Sequence, residues 1–388
     1  MKRIVFLIGA IVWTTIALLA LAVLVIALSG VSLFKNMPNW MSGGSIYRVF
    51  DGNTSLLKEE KFSLSGITEL DIGAQYQSIK ITLVGGSEMT VRHYDIDSAS
   101  PFTSDMSGDR LAIDIPQRNL VSYSMASPRL EIDLPRSYID AVKLKSSSGS
   151  INLDGYVEWS SASIVSSSGT IRLGDGIKAN DLNVSTSSGS INMGAAQADS
   201  INISSSSGTL RLDELKASRD VRLKSSSGSI NGENITAANV KIQSSSGTVR
   251  IGNVDASDCV DISSSSGSQN AGYVKAGTYN ISSTSGTLRY DGLSGAGSVD
   301  SSSGSVNCHD LDVRGNVSFS STSGTQRITL ASGQNFEIKM SVTSGTIRAA
   351  SLRLQYSDSH GRNAFGTVGD GSDGTLSIRS TSGSINIT

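Results

Sequence analysis

Residues 142–153 read VKLKSSSGSINL, and this phrase decides the fold. Apolar and polar residues alternate on both sides of Gly149, in VKLK before it and in SINL after it. Alternation with a period of two is the pattern of a β-strand with one buried face. Gly149 separates the two predicted strands, where a corner needs a residue without a Cβ atom. We expect the serines three and one positions before the glycine, Ser146 and Ser148, to point inward with the apolar residues.

The phrase recurs through the rest of the chain, as Ser-Ser-Ser-Gly or a close variant followed by Ser or Thr, usually an apolar residue, and then Asn or Arg. Successive glycines are 18 to 21 residues apart, except for a last interval of 38. A period near 20 predicts a parallel β-solenoid, here of about twelve coils. The last interval fits two coils whose middle phrase has decayed or been replaced by an insertion around residues 361–374. The glycines are Gly149, Gly169, Gly189, Gly208, Gly228, Gly247, Gly267, Gly286, Gly304, Gly324, Gly345 and Gly383.

The residue three positions after the glycine alternates between Asn and Arg along most of the repeat. With one coil per 20 residues and about 4.8 Å per coil, the arginines lie about 10 Å apart, near the Debye length. A 39-residue coil would place Arg directly on Arg, which is unfavourable, so we favour the 20-residue coil. The alternation breaks at the end of the column, where two consecutive members are arginines. The arginines are Arg172, Arg211, Arg250, Arg289, Arg327 and Arg348.

An uncharged apolar run extends from Ile4 to Leu28. A bilayer core needs about 20 apolar residues in a helix, whereas the apolar part of a secretory signal has about 7–15. The run therefore predicts one retained transmembrane helix, with a cleaved signal peptide as the alternative. Lys2 and Arg3 precede the run, so we expect a cytoplasmic N-terminus and an extracytoplasmic solenoid, at the cell surface or in the periplasm.

Four segments follow from these patterns. Residues 1–34 form the predicted anchor, 35–60 a tether, 61–135 an irregular β-strand cap with the first coils, and 136–388 the regular repeat. All five prolines precede the repeat. A coil interior donates each backbone N–H to the next coil and excludes proline, whereas a disordered Ser/Gly linker would have no reason to avoid it.

The start of the repeat also resembles a known family. LEIDLP at residues 130–135 is followed by VKLK and SGSI, and the chain ends with LSIRSTSGSI at residues 376–385. This order is similar to the bacterial putative adhesin family, a domain of unknown function common in envelope proteins, over roughly residues 60–388. The resemblance implies a β-solenoid and an envelope location, and it supplies no catalytic residues.

Composition and motifs argue against several functions. A net charge of −2 gives no basic face for nucleic acid. The three histidines and the two cysteines have no metal-ligand spacing, so we expect no metal or cofactor. Cys308 occupies an inward position and Cys259 another column, which predicts two free thiols. With no phosphate loop or nucleophile motif, we expect neither an enzyme nor a small-molecule substrate.

The leading hypothesis is therefore an adhesin-like structural or interaction protein, which binds a surface, a polymer or a partner protein. The arginine column either faces an anionic polymer, such as teichoic acid or another cell-surface glycan, or is a solvated row. The alternative is an envelope-stress regulator that signals through a membrane partner. A glycan-processing enzyme is a third option, and it would need a carboxylate cluster on one face.

Overall fold

The computed structural model describes residues 54–96, 99–116, 127–357 and 359–388. These residues form 28 β-strands in one continuous hydrogen-bonded sheet, and none of them is helical. Accordingly, no helix within these ranges could cross a membrane. The predicted anchor from Ile4 to Leu28 and most of the predicted tether lie outside the described residues.

The strands before the regular repeat are β1 Ser55–Ser63, β2 Glu69–Ala74, β3 Ser78–Val84, β4 Glu88–Asp95, β5 Thr103–Ser107, β6 Arg110–Asp114 and β7 Arg129–Pro135. The repeat contains β8 Ala141–Ser146, β9 Ile151–Asp154, β10 Tyr156–Glu158, β11 Ser161–Ser166, β12 Ile171–Leu173, β13 Gly176–Thr186, β14 Ile191–Met193, β15 Ala196–Ser205, β16 Leu210–Ser225, β17 Ile230–Ser244, β18 Val249–Ser264, β19 Gln269–Ser285, β20 Leu288–Ser303, β21 Val306–Ser323 and β22 Gln326–Leu330. The last strands are β23 Phe336–Ser344, β24 Ile347–Arg348, β25 Gln355–Tyr356, β26 Asn363–Val368, β27 Gly374–Ser382 and β28 Ile385–Ile387.

The register of the parallel strands confirms the predicted all-β solenoid and its 20-residue coil. Ile171 is paired with Ile151 in the preceding coil and with Ile191 in the following one. Ten glycines from Gly149 to Gly324 follow each other along the stack, which makes nine turns in chain order. The expectation of about twelve coils counted every phrase in chain order; nine turns follow that order, and Gly383 and then Gly345 extend the column beyond Gly324 in reverse order.

The repeated glycine is required by the neighbouring coil. A Cβ atom on Gly169 would overlap the carbonyl oxygen of Gly149, and Gly189 stands in the same relation to Gly169. From Gly286 onward the glycines of this column also have a positive φ, 131° at Gly286 itself. Both the space between coils and, later in the stack, the backbone conformation therefore exclude a side chain.

The predicted orientation of the serines is half right. Ser166, three positions before Gly169, is buried, but Ser168, one position before it, is exposed. The chain bends through this corner, so the strict alternation ends at Ser166 and the next two serines both face solvent. Several members of this buried row are hydrogen-bonded within their own coil: Ser166 Oγ accepts from the Gly169 N–H at 2.9 Å, and Ser225 Oγ donates to the Gly228 carbonyl at 2.7 Å.

The last coil of the sequence is not the last coil of the stack. Strand β27 lies between β21 and β23, and β28 lies between β22 and β24. The residues between β24 and β27 add no coil of their own: β26 pairs antiparallel with β23, and β25 with β26. The 38-residue interval therefore contains an insertion, as expected, but the two coils predicted for it are wrong, because the inserted residues form no second coil.

The N-terminal end repeats this arrangement. Strand β2 lies between β6 and β8, and β3 lies between β7 and β9. Strand β4 pairs antiparallel with β7 and β1 with β4, which covers the edge of the outer coil. Since β1 begins at Ser55, the predicted tether to residue 60 is too long.

Charge complementarity accompanies the insertion of β2. Asp71 Oδ2 lies 2.6 Å from Arg110 Nη2 on one flanking strand, and Asp71 Oδ1 lies 3.3 Å from Lys145 Nζ on the other. Glu69 bridges the same two strands, at 3.1 Å to Arg110 and 2.8 Å to Lys143. Strand β2 thus carries two acidic residues that pair with basic residues on both flanking strands.

Candidate functional site

The arginine column predicted from the sequence is one continuous exposed row. The Arg172 guanidinium donates a hydrogen bond to Asn152 Oδ1 at 3.3 Å, in the coil before it. The same bond joins Arg211 to Asn192 at 3.4 Å. Each such asparagine orients an arginine along the stack and separates it from the next one. We call this row the Arg ladder; it consists of Arg172, Asn192, Arg211, Asn231, Arg250, Asn270, Arg289, Asn307, Arg327, Asn386 and Arg348.

The predicted break in the alternation does not exist in the structure. Asn386 of the inserted last coil is paired with Arg327 on one side and with Arg348 on the other. The two arginines are consecutive in the repeat but not in space, since the order of the coils differs from the order of the chain. The ladder is therefore unbroken, and all six arginines predicted from the sequence belong to it and are exposed.

The column continues into the N-terminal coils with charged residues of both signs. Asn152 is paired with Lys80, Lys80 with Glu131, and Glu131 with Arg92. Arg92 is in turn paired with Glu59 on β1. No two residues of like charge are adjacent along the column, which avoids the repulsion expected between identical stacked charges.

A groove of about 650 Å³ runs along the middle of the Arg ladder. Its lining includes three glycines, Gly232, Gly252 and Gly272, which have no side chains to fill it. Three arginines and three carboxylates line it together, so the groove has no net charge. The charged residues are Arg211, Arg250, Arg289, Asp213, Glu233 and Asp291.

A second cleft, of about 470 Å³, lies at the C-terminal end of the ladder. Arg327, Arg348 and His309 line it together with Asn307 and Asn386, and its lining includes no Asp or Glu. This end of the ladder is therefore cationic, whereas the middle is balanced.

Two tyrosines beside the ladder were missed by the sequence analysis. Tyr273 is 57% exposed and follows Gly272, which lines the groove, and Tyr156 is 47% exposed. Each is paired with a glycine of the next coil, Tyr156 with Gly176 and Tyr273 with Gly292. Their spacing from the repeated glycine, seven residues for Tyr156 and six for Tyr273, is the signal that would have found them.

One titratable pair outside the ladder is fully buried. His93 and Asp95 are 0% and 1% exposed, with His93 Nε2 3.5 Å from Asp95 Oδ2. Burial acts to raise the pKa of the Asp95 carboxyl, but the nearby His93 and hydrogen bonds from Gln77, Tyr76 and the Ile96 N–H hold it below its ordinary value. This pair is a structural element of the N-terminal cap. Within the part of the chain that the structure describes, no group of three or more His, Cys, Asp or Glu residues is placed to hold a metal ion.

The two cysteines occupy the positions predicted for them. Cys308 is buried in the core, and Cys259 is partly exposed in another column, paired with Asn239 and Thr278. Both thiols are free. Burial raises the pKa of the Cys308 thiol to about 12, so this side chain is a small core residue rather than a nucleophile.

The parallel coils and the repeated exposed row define a β-solenoid repeat protein. The Toastrack DUF4097 family model matches residues 67–273 and 216–388, and the chain belongs to this family. The resemblance to the bacterial putative adhesin family is thereby confirmed. The chain matches no curated protein.

Solved structures similar to this chain include two adhesin-like proteins. A putative adhesin from Bacteroides fragilis NCTC 9343 has 13% identity and a TM-score of 0.36, covering 61% of this chain and 97% of its own. A putative cell adhesion protein from Clostridium sporogenes ATCC 15579 has 12% identity and a TM-score of 0.18, covering 86% of this chain and 99% of its own.

Proposed function

We propose that the chain is a non-enzymatic, membrane-anchored interaction protein of the adhesin type, which binds an extended anionic polymer along the Arg ladder. The unbroken ladder carries this proposal, because it presents exposed guanidinium groups at a constant interval. The interval is about 10 Å, two coils of about 4.8 Å each. A polymer with regularly spaced anionic groups can contact several arginines at once.

Multiple contacts are needed because each one is weak. An exposed ion pair contributes about 0–1 kcal/mol and is screened by salt. A small anion that meets one arginine would therefore bind poorly, whereas a polymer that meets several gains from their effective concentration. The ladder thus favours a long partner over a small ligand.

The predicted anchor determines on which side of the membrane the Arg ladder would lie. With Ile4 to Leu28 in the bilayer and Lys2 and Arg3 on the cytoplasmic side, the ladder faces the envelope. Protease added to intact cells or spheroplasts should digest the solenoid. Protection of the solenoid until the membrane is dissolved would contradict this orientation.

Polymer binding by the purified full-length protein tests the proposal. Hyaluronan and poly(glycerol phosphate) serve as carboxylate and phosphate probes, each at low and high salt. The double variant Arg327→Gln/Arg348→Gln should weaken binding of at least one probe several-fold. The control Lys224→Gln/Lys275→Gln removes the same charge from residues outside the ladder and should have little effect. Equal loss in both variants, or no binding of either probe, would contradict the proposal.

Deleting the gene separates this role from that of an envelope-stress regulator. Loss of surface adhesion with normal sensitivity to membrane-targeting antibiotics supports an interaction protein. Altered antibiotic sensitivity with normal adhesion favours the regulator.

A further inference from the structure

The middle groove of the Arg ladder differs from a general polyanion site because its charges cancel. Its three arginines and three carboxylates give the groove no net charge. A polymer with a charge on every unit, such as poly(glycerol phosphate), would bring phosphates close to those carboxylates. Sugar hydroxyls behave differently, since they donate to carboxylates and accept from guanidinium and amide N–H groups. The mixed lining therefore fits a sparsely charged carbohydrate.

Tyr273 directly follows Gly272, which lines this groove, and supplies an exposed aromatic ring next to it. Its ring lies against Gly292, where a Cβ atom would overlap the ring carbons, and it is still 57% exposed. The Tyr273 backbone N–H donates to Asn253 Oδ1 at 3.2 Å, and Asn253 Nδ2 donates to Asn234 Oδ1 at 3.1 Å. The tyrosine is thus held over a bare backbone, above two stacked amides. Aromatic faces of this kind combine an apolar surface with a polar end.

Tyr156 repeats this arrangement on the same column. Tyr156 and Tyr273 directly precede Val157 and Val274, which belong to one paired buried row. Six coils separate them, about 29 Å at about 4.8 Å per coil. The two exposed rings lie over glycines in one column, next to one row of arginines. This arrangement suits the binding of a linear molecule along the stack.

Resting on the function proposed above, we infer that the middle groove binds a linear β-linked polysaccharide with one carboxylate per disaccharide. The length of such a disaccharide is close to the interval of about 10 Å between successive arginines. Each carboxylate meets one guanidinium, which binds it through two parallel hydrogen bonds. Asn270 and the groove carboxylates bind the sugar hydroxyls, and a sugar ring stacks on Tyr273.

The test uses the full-length protein and three probes: hyaluronan, its carboxyl-reduced neutral form, and poly(glycerol phosphate). Hyaluronan should bind more tightly than either of the others. Tyr273→Ala should weaken hyaluronan binding about tenfold and leave poly(glycerol phosphate) binding unchanged, whereas Tyr273→Trp should retain it. Tyr356→Ala is the matched control, because Tyr356 is 50% exposed and lies on β25, away from this column.

The outcomes separate this inference from the function on which it rests. If Tyr273→Ala binds hyaluronan like the parent protein, or weakens both charged probes equally, the polysaccharide inference is wrong. The wider proposal then still stands, provided that Arg327→Gln/Arg348→Gln weakens binding. If no anionic probe binds, both fail together. The urea unfolding midpoint of Tyr273→Ala is measured as a control. If it equals that of the parent protein, any loss of binding is local and does not come from unfolding.

Discussion

Asn386 is paired with Arg327, a residue of a coil completed long before it in the sequence, and so keeps Arg327 apart from Arg348. The C-terminal coil enters the stack one level before its place in chain order. The repeat unit at the end of the chain, which carries Asn386, thereby completes the alternation of Asn and Arg in the Arg ladder. Side-chain complementarity between coils, and not their order of synthesis, accounts for this position.

Replacing Asn386 by arginine tests that account. Asn386→Arg places three arginines in consecutive coils and should lower the free energy of unfolding by about 0.5–1 kcal/mol for each new like-charge contact. High salt should restore much of the loss. Urea unfolding at low and high salt measures both effects. Asn386→Gln is the control; a similar, salt-independent loss in both variants would show that charge is not the cause.

The glycine column should tolerate no side chain. A Cβ atom on Gly228 would overlap the carbonyl oxygen of Gly208, so Gly228→Ala must push two coils apart and should cost about 1–3 kcal/mol. Gly85→Ala is the matched control, because no heavy atom outside its chain neighbours lies within 4 Å of a Cβ at Gly85. Thermal unfolding should separate the two variants by several degrees. Equal stability would mean that the coils adapt to a methyl group without cost.

The buried serine row contains its own control. Ser225 Oγ donates to the Gly228 carbonyl at 2.7 Å, so Ser225→Ala should cost about 1 kcal/mol. Ser146 Oγ, in the same row, is buried with no hydrogen-bond partner among the described residues. Ser146→Ala should therefore be neutral or stabilising, because it removes an unsatisfied group. Chemical denaturation of both variants measures the difference, and an equal loss would contradict this reasoning.

The N-terminal cap should be sensitive to acid. Burial acts to raise the pKa of the Asp71 carboxyl, but hydrogen bonds and charge from Arg110 and Lys145 hold it below its ordinary value. A carboxyl with a lowered folded pKa contributes stability above its unfolded pKa of about 3.9, and this is lost as the pH falls through the folded pKa. Urea unfolding from pH 7 to pH 2 should show Asp71→Asn less stable at pH 7 and less dependent on pH below about 5. Asp175→Asn, at an exposed turn, should follow the parent protein.

The two thiols should differ in reactivity. Because only the thiolate reacts, Cys308, buried and with a pKa of about 12, should be inert to Ellman's reagent in the folded protein. Cys259 is partly exposed and should react. We expect one reactive thiol per native chain, none in Cys259→Ser, and two when the parent protein is unfolded in urea. Two fast thiols in the native protein would show that the core around Cys308 opens.

The amino-acid sequence by itself determined the repeating unit. The period near 20, the corner at the repeated glycine and the inward apolar residues follow from local alternation, and the register of Ile171 with Ile151 and Ile191 confirms them. The alternation of Asn with Arg likewise predicted the central part of the Arg ladder. These features were predictable because each coil repeats the same local pattern against a similar neighbour.

Only the tertiary structure decided what happens at the corners and ends. Ser148 and Ser168 face solvent because the chain bends there, which alternation along a strand does not reveal. The order of the terminal coils was also hidden, since parallel coils present similar backbone edges and almost any coil could stack on another. Contacts between distant residues distinguish the possible orders, as Asp71 does with Arg110 and Lys145, and as Asn386 does between its two arginines.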